Sequence, residues 1–434
     1  MNRINPFAPN SPVGPGMFVG RLAQVDALEA ALLQTRAGRP KNFMLTGERG
    51  IGKTSLLQYF KWIAQGHIAI GDQRTNYLVV ELDIDVSTTD VGLIRRVNLS
   101  LKRELEKTER AKALLENGWE FLKRIEAFGV SIRDDNSLTD PEILHDEFAH
   151  SLATTAARIS EKDAPSNFGA RYDGIILLID EADNAPKALR LGAFLKLLSE
   201  RIQRHGCQHF MIGLAGMPNL REVLRESHPS SLRIFDELPL DTLSPGDANK
   251  VIDRALEAAN KENTQKTTID NEGRAALVNL SEGYPHFIQQ FGYCAFAADT
   301  DFQIDRTDVA QGAFGSLGAM EKIGDRYYRD NFYNKIQKDS YRQVLRIMAD
   351  NENRWVSKKD ISTKFKGKTQ TLDNAIHALR ERKIILAKEG ERGIYRLQHR
   401  GFAFWIKLYT SDPKEMQSQL ESLSDIRQDQ RDPP

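Results

Sequence analysis

The 434-residue chain sets 60 Lys and Arg against 60 Asp and Glu, so no overall field draws it to nucleic acid or to a membrane surface, and any such attraction has to be local. With 40% hydrophobic residues it can bury a large core, and its length implies two or three domains. Apolar runs such as residues 175–179 are too short to span a bilayer, the start MNRINPFAPNSPVGPGMF lacks a signal peptide's apolar core, and Cys207 and Cys294 lack metal-ligand spacing, which together predict a cytoplasmic protein with reduced thiols.

Residues 1–17 are rich in Pro, Asn and Gly, which predicts a flexible N-terminal arm. Over residues 18–243 apolar strand candidates alternate with amphipathic helices: NFMLTG, YLVVELDI, GIILLID and HFMIGLAG read as buried strands of a parallel sheet in an α/β domain. The charged stretch from about 94 to 165 reads as a helical insertion between two of these strands, with GVSI as a short strand inside it. After about residue 243 the strand pattern stops, and residues 244–320 read as an α-helical domain with Ser244 as N-cap and Pro245 in the first turn. A charged, aromatic linker over 321–338 leads to residues 339–412. There YRQVLRIMAD, SKKDISTKF and TQTLDNAIHALRERK read as helices that precede two strands in IILAKEGERGIYRLQ, the order of a winged helix-turn-helix. Residues 413–434 read as a polar, frayed tail.

Two motifs carry chemistry. LTGERGIGKTSLLQYF, residues 45–60, contains G-x-x-x-x-G-K-[ST] at Gly47, Gly52, Lys53 and Thr54, with a strand before it and a helix after it. Backbone N–H groups around Gly47, Gly50, Gly52 and Ser55 are expected to cradle the phosphates of ATP at the positive end of the helix. Lys53 then reaches the β- and γ-phosphates and Thr54 offers its hydroxyl to Mg2+. The second motif, IILLIDEAD, is an apolar strand ending in acids, which places Asp180 as the metal's partner and Glu181 as the group that polarises an attacking water. Together they predict an Mg-dependent ATPase.

Over roughly residues 18–315 these motifs resemble the AAA+ ATPases, within them the branch that includes origin-recognition initiators, transposon and secretion ATPases and the STAND signalling ATPases. The resemblance implies a P-loop AAA+ parallel sheet with a helical lid, and nucleotide-dependent assembly of subunits. FVGR at 18–21 is similar to the family's segment beside the adenine, which points to Val19 and Arg21. LAGMPNL resembles the strand and loop of the sensor 1 polar residue, here Asn219, although Asn is equally a favoured helix N-cap. Arg233, in SSLRIFDELPLDTLSP, falls where the family often places an arginine finger that reaches a neighbouring subunit; a plain surface arginine is the alternative. EGYPHFIQQ occupies the sensor 2 position of the lid, with Pro285 and His286 where initiators carry an arginine. Its Gly-x-Pro is similar to the STAND ATPases and favours a switch over a sustained motor. His286 reads either as a phosphate contact or as a packed, hydrogen-bonded residue.

The C-terminal pattern adds a charge asymmetry. Between 340 and 410 sixteen Lys and Arg stand against seven Asp and Glu, an excess of nine in a neutral chain. Lys366 and Lys368 precede the third helix of this region, and Thr369, Gln370, Thr371 and Asn374 lie in its early turns. Leu372, Ile376 and Leu379 face inward, and Lys388 and Arg392 flank the turn of the wing. Thr, Gln and Asn can read base edges and the cations neutralise phosphates, so DNA contact is one expectation. Docking on the ATPase domain or on another protein is the other. Three functions stay open: a nucleotide-driven switch or loader, a DNA-binding regulator of replication or transposition whose ATP site sets its affinity, and a scaffold for a separately encoded effector in mobile-element or phage-defence biology.

Overall fold

The computed structural model describes residues 3–106, 109–120, 141–336, 338–351, 355–382, 384–388, 390–398 and 400–410. They form two compact units. One runs from Pro12 to Asp241, and the other joins the N-terminal residues through Ser11 to the chain from Thr242 onward.

In the first unit β1 (Asn42–Gly47), β2 (Tyr77–Asp83), β3 (Gly174–Asp180), β4 (Phe210–Gly216) and β5 (Phe235–Leu240) form a parallel sheet in the order β2-β3-β4-β1-β5. β1, β3 and β4 are buried along their whole length, so each reads as an unbroken apolar run: a parallel strand covered on both faces has no wet side. β5 is an edge strand, buried only at its two ends and carrying Pro239, and it lacks the apolar run by which the other four are legible.

Helix Lys53–Ala64 packs on β1, β2 and β4 through Leu56, Leu57, Phe60 and Ile63, with Phe60 meeting Phe43 edge-on at a ring separation of 4.8 Å. The helical insertion begins with Asp90–Leu105, where the Thr89 side chain accepts the Gly92 N–H. It continues as Glu109–Gly118 and returns as Pro141–Ser160. Leu101, Trp119 and Phe148 bring its apolar side into the core with β2 and β3. The expected GVSI strand at 129–132 and the expected tail at 413–434 lie outside the described residues.

In the second unit the Ser244 hydroxyl accepts the Asp247 N–H at 3.1 Å, and Pro245 opens helix Pro245–Glu262, as the sequence predicts. Helices Asn271–Ser281, Pro285–Ala298 and Arg306–Phe314 follow, with a short parallel pairing of β6 (Thr268–Ile269) and β7 (Gln303–Ile304). The N-terminal segment corrects the expectation of a free arm. Phe7 is only 2% exposed and fills the space left beside Gly292, which has no Cβ. Arg3 binds Asp299 at 2.7 Å with its guanidinium 3.9 Å from the Phe296 ring. Proline and glycine keep this segment out of regular structure, but its side chains anchor it all the same.

Residues 321–338, expected as a linker, are largely a packed element. Helix Ala319–Ile323 runs into π-type turns over Gly324–Tyr328 and Asp330–Lys335, and Tyr328 and Phe332 are buried with Trp405 of helix Arg400–Thr410. A Cβ on Gly324 would collide with the Trp405 indole. Gly324→Ala is therefore expected to lower the unfolding free energy by about 1–3 kcal/mol in spite of alanine's better helix propensity, which a denaturant titration would measure. The rest of this region consists of helices Asp339–Ala349, Lys358–Lys364 and Thr369–Glu381 and an antiparallel sheet in the order β8 (Val356–Ser357), β10 (Ile394–Leu397), β9 (Ile385–Ala387). Among the described residues no helix is long and apolar enough to cross a membrane.

Candidate functional site

The residues of the phosphate-loop motif fall in one place, between the end of β1 and the first turn of helix Lys53–Ala64. Gly50 (φ +79°) and Gly52 (φ +97°) hold left-handed conformations that a side chain would strain, so the chain can turn back and aim successive N–H groups at one point. Gly47 has no room for a side chain, since a Cβ there would sit 2.9 Å from the Leu240 carbonyl oxygen. The helix has no side-chain N-cap, which leaves the positive end of its dipole, with Ser55 in the first turn, available to an anion.

Lys53 Nζ donates to the carbonyls of Gly47 at 2.8 Å and Glu48 at 3.0 Å. Burial pushes its ammonium below the ordinary lysine range, against the opposing pull of Asp180, Asp183 and Glu48. Thr54 Oγ1 donates to Asp180 Oδ2 at 2.7 Å, from the first turn of helix Lys53–Ala64 to the end of β3. Asp180 is 7% exposed, and its other oxygen accepts the Glu181 N–H at 2.8 Å. Glu181 leaves the strand with φ +50°, a conformation rare outside glycine, and its exposed carboxylate accepts from Asn184 Nδ2 at 3.3 Å.

The FVGR segment lies against the same loop. Phe18 stacks on Tyr59 at 4.5 Å and Arg21 donates to the Ile51 carbonyl at 3.1 Å, so Val19 is held between two anchors. Asn219 stands in the turn after β4, and its side chain makes no capping bond to helix Leu220–Ser227. Arg233 is not brought to the loop. It is exposed in the turn ahead of β5, and because Phe235 pairs with Asn42 and Leu240 with Gly47, it sits at the amino edge of the sheet, about 16 Å of strand from the phosphate loop.

Pro285 and His286 belong to the second unit. Pro285 opens helix Pro285–Ala298 after Gly283 (φ +73°), whose carbonyl accepts the Leu243 N–H at 2.8 Å. His286 is half-buried, with Nε2 3.4 Å from Arg326 Nη1 and its ring 5.3 Å from that of Tyr327. Just before this motif, Glu282 accepts the Gly401 N–H at 3.0 Å and so ties the turn to the last described helix.

Two acids that the motifs do not single out share the edge of the first unit. Asp183 accepts the Met217 N–H at 2.9 Å, joining the loop after β3 to the loop after β4, and it acts on Lys53. Asp83 is in register with Asp180, and burial together with the Asp180 and Glu81 carboxylates raises its pKa. The signal for Asp183 is the second Asp of DEAD; for Asp83 it is the acid that ends YLVVELD as Asp180 ends GIILLID.

Lys366 and Lys368, just ahead of helix Thr369–Glu381, and Thr369, Gln370 and Asn374 within it are exposed and Thr371 is half-buried, while Leu372, Ala375, Ile376 and Leu379 are buried. Gln370 donates to Asn374 at 3.3 Å, and His377, exposed three residues on, extends the same face. The sequence reading misses His377, which helical spacing would have found. Lys388 is paired with Glu391 at 2.5 Å, and Arg392 is exposed.

The strand order, the phosphate loop after β1 and the acids after β3 define a P-loop AAA+ α/β fold. Residues 17–209 match the AAA ATPase domain family. No curated protein matches the chain in sequence. Among solved structures it is similar to ORC2 of Aeropyrum pernix in its ADPNP–ADP complexes, with a TM-score of 0.52 and 12% identity over 94% of this chain and 96% of that one. It is also similar to Aeropyrum pernix ORC1 in complex with DNA (TM-score 0.42, 16% identity, 96% and 95% covered) and to Cdc6p of Pyrobaculum aerophilum (TM-score 0.41, 13% identity, 96% and 98% covered). The first likeness speaks to the fold; the other two are too distant to add to it.

Proposed function

We propose that the chain is an Mg2+-dependent ATPase that acts as a switch, its nucleotide state governing assembly and the contact of its C-terminal module with DNA or a partner. The carrying observation is the Thr54–Asp180 bond at 2.7 Å beside Lys53, at a helix N-terminus approached by two left-handed glycines. The donor set fits the group it would hold: hydroxyl and carboxylate oxygens suit a hard divalent cation. An Mg2+ ion held by Thr54 and Asp180 would neutralise charge on the phosphate oxygens during transfer.

Lys53 would exchange the carbonyls of Gly47 and Glu48 for phosphate oxygens, whose negative charge favours the ammonium form against the effect of burial. Glu181 accepts a proton from the water that attacks the terminal phosphorus, and ADP and inorganic phosphate leave. Asn219, which spends no bond on capping its helix, serves to orient that water. Arg233 suits a neighbouring copy's nucleotide, so the complete site needs a second subunit. Pro285 and His286 act as the lid's response to the phosphate, and Val19 and Arg21 flank the base.

We read the order helix, β8, helix, helix, β9, β10 as a winged helix. Its excess of nine cations and its exposed Lys366, Lys368, Thr369, Gln370 and Asn374 favour DNA as the ligand. We further propose mobile-element or phage-defence biology as a setting, in which a separately encoded effector is a partner, and the free, buried thiols of Cys207 and Cys294 suit a reducing cytoplasm. The test is ATP turnover at low salt with and without duplex DNA. Duplex is expected to stimulate the wild-type chain, and the double reversal Lys366→Glu, Lys368→Glu to abolish that stimulation. Turnover indifferent to DNA would reassign the module to a protein partner.

A further inference from the structure

We propose that the outer face of the small C-terminal sheet is a second nucleic-acid contact, where Trp355 and Arg396 form a platform on which an unpaired base stacks. This rests on reading the module as a nucleic-acid binder. Trp355 directly precedes β8, and because Val356 pairs with Tyr395, the antiparallel register sets Trp355 opposite Arg396 of β10. The Arg396 guanidinium lies 5.3 Å from the centre of the indole. Val356, Tyr395 and Leu397 are buried, so alternation along the strands puts Trp355 and Arg396 on the opposite face. There the tryptophan keeps 42% of its surface exposed, whereas Trp119 and Trp405 are 3% and 1% exposed.

An indole backed by a cation on one side offers its other side for stacking, and every base has a π-face to present whatever its sequence. Bases inside a duplex are already stacked on both sides, so the platform suits a single strand or a frayed end. The charges on this side point to a polyanion. Among the described residues of β9, β10 and the turn between them, Glu391 is matched by Lys388 at 2.5 Å, which leaves exposed Arg392 and half-exposed Arg396 as the surplus.

The test uses the full chain with a fluorescein-labelled oligothymidylate and a duplex of equal length, measuring anisotropy across a salt series. Trp355→Ala is expected to weaken single-strand binding about tenfold, leave duplex binding unchanged and leave the salt dependence unchanged, because it removes a stacking surface and no charge. Trp355→Phe should recover most of the loss, and Arg396→Ala should lower both the affinity and the salt slope. Single-strand binding unaltered in Trp355→Ala, or Phe no better than Ala, overturns the proposal. Duplex binding that falls in the Lys366→Glu, Lys368→Glu chain but is accompanied by no Trp355 effect on single strands overturns it while keeping the proposed function. Absence of any nucleic-acid binding by the wild-type chain overturns both. An effect of Trp355→Ala confined to the oligomeric state assigns the face to a second copy and overturns it too.

Discussion

Glu181→Gln is expected to lower ATP turnover by about 10²- to 10⁴-fold while leaving ATP bound, the usual worth of a positioned general base. The substitution keeps the length of the side chain and leaves intact the bonds that Asp180 makes to Thr54 and to the backbone N–H of residue 181. It also leaves Lys53 on its carbonyl partners, so the binding groups are untouched. The left-handed φ of +50° is as costly for Gln as for Glu, and stability should barely change. Single-turnover hydrolysis and equilibrium binding on the same preparation separate the two effects. A wild-type rate would shift the base elsewhere on that edge, to Asp183 or Asp83.

Arg233→Ala is expected to cost about 10³-fold or more in turnover, the scale of a finger supplied in trans. At the amino edge of the sheet, ahead of β5, Arg233 is a strand's length from its own phosphate loop, so it can serve only another copy's. Arg233→Ala and Glu181→Gln should each be nearly inactive alone, yet a mixture should regain turnover. In the mixture the intact Glu181 of one chain meets the intact Arg233 of the other. No recovery on mixing, together with turnover per chain that does not depend on protein concentration, would leave Arg233 a surface residue.

The parts legible in the sequence are those where one physical demand dominates. Strands covered on both faces must be apolar throughout, which gave β1, β3 and β4; β2 was legible from the buried run YLVV at its start. A phosphate cradle needs glycine at φ values that other residues avoid, which gave Gly50 and Gly52. β5 was hidden because an edge strand is wetted and tolerates Pro239, and β8 because its two residues are too short for any period. The docking of Phe7 and the burial of Tyr328 and Phe332 depend on partners distant in the chain, Gly292 and Trp405, which local composition does not name. At the site, the acids on β3 followed from a motif. Asp83 ends YLVVELD as Asp180 ends GIILLID, but it was the register that set it beside Asp180.

Thr54 and Asp180, gathered beside Lys53, are proposed to hold Mg2+ and ATP. The most direct test is calorimetric titration of ATP into the Glu181→Gln chain, which does not consume the ligand, in Mg2+ and again in EDTA. One ATP is expected to bind per chain, and more tightly with Mg2+ present. Absence of binding, or an affinity indifferent to the metal, would contradict this assignment.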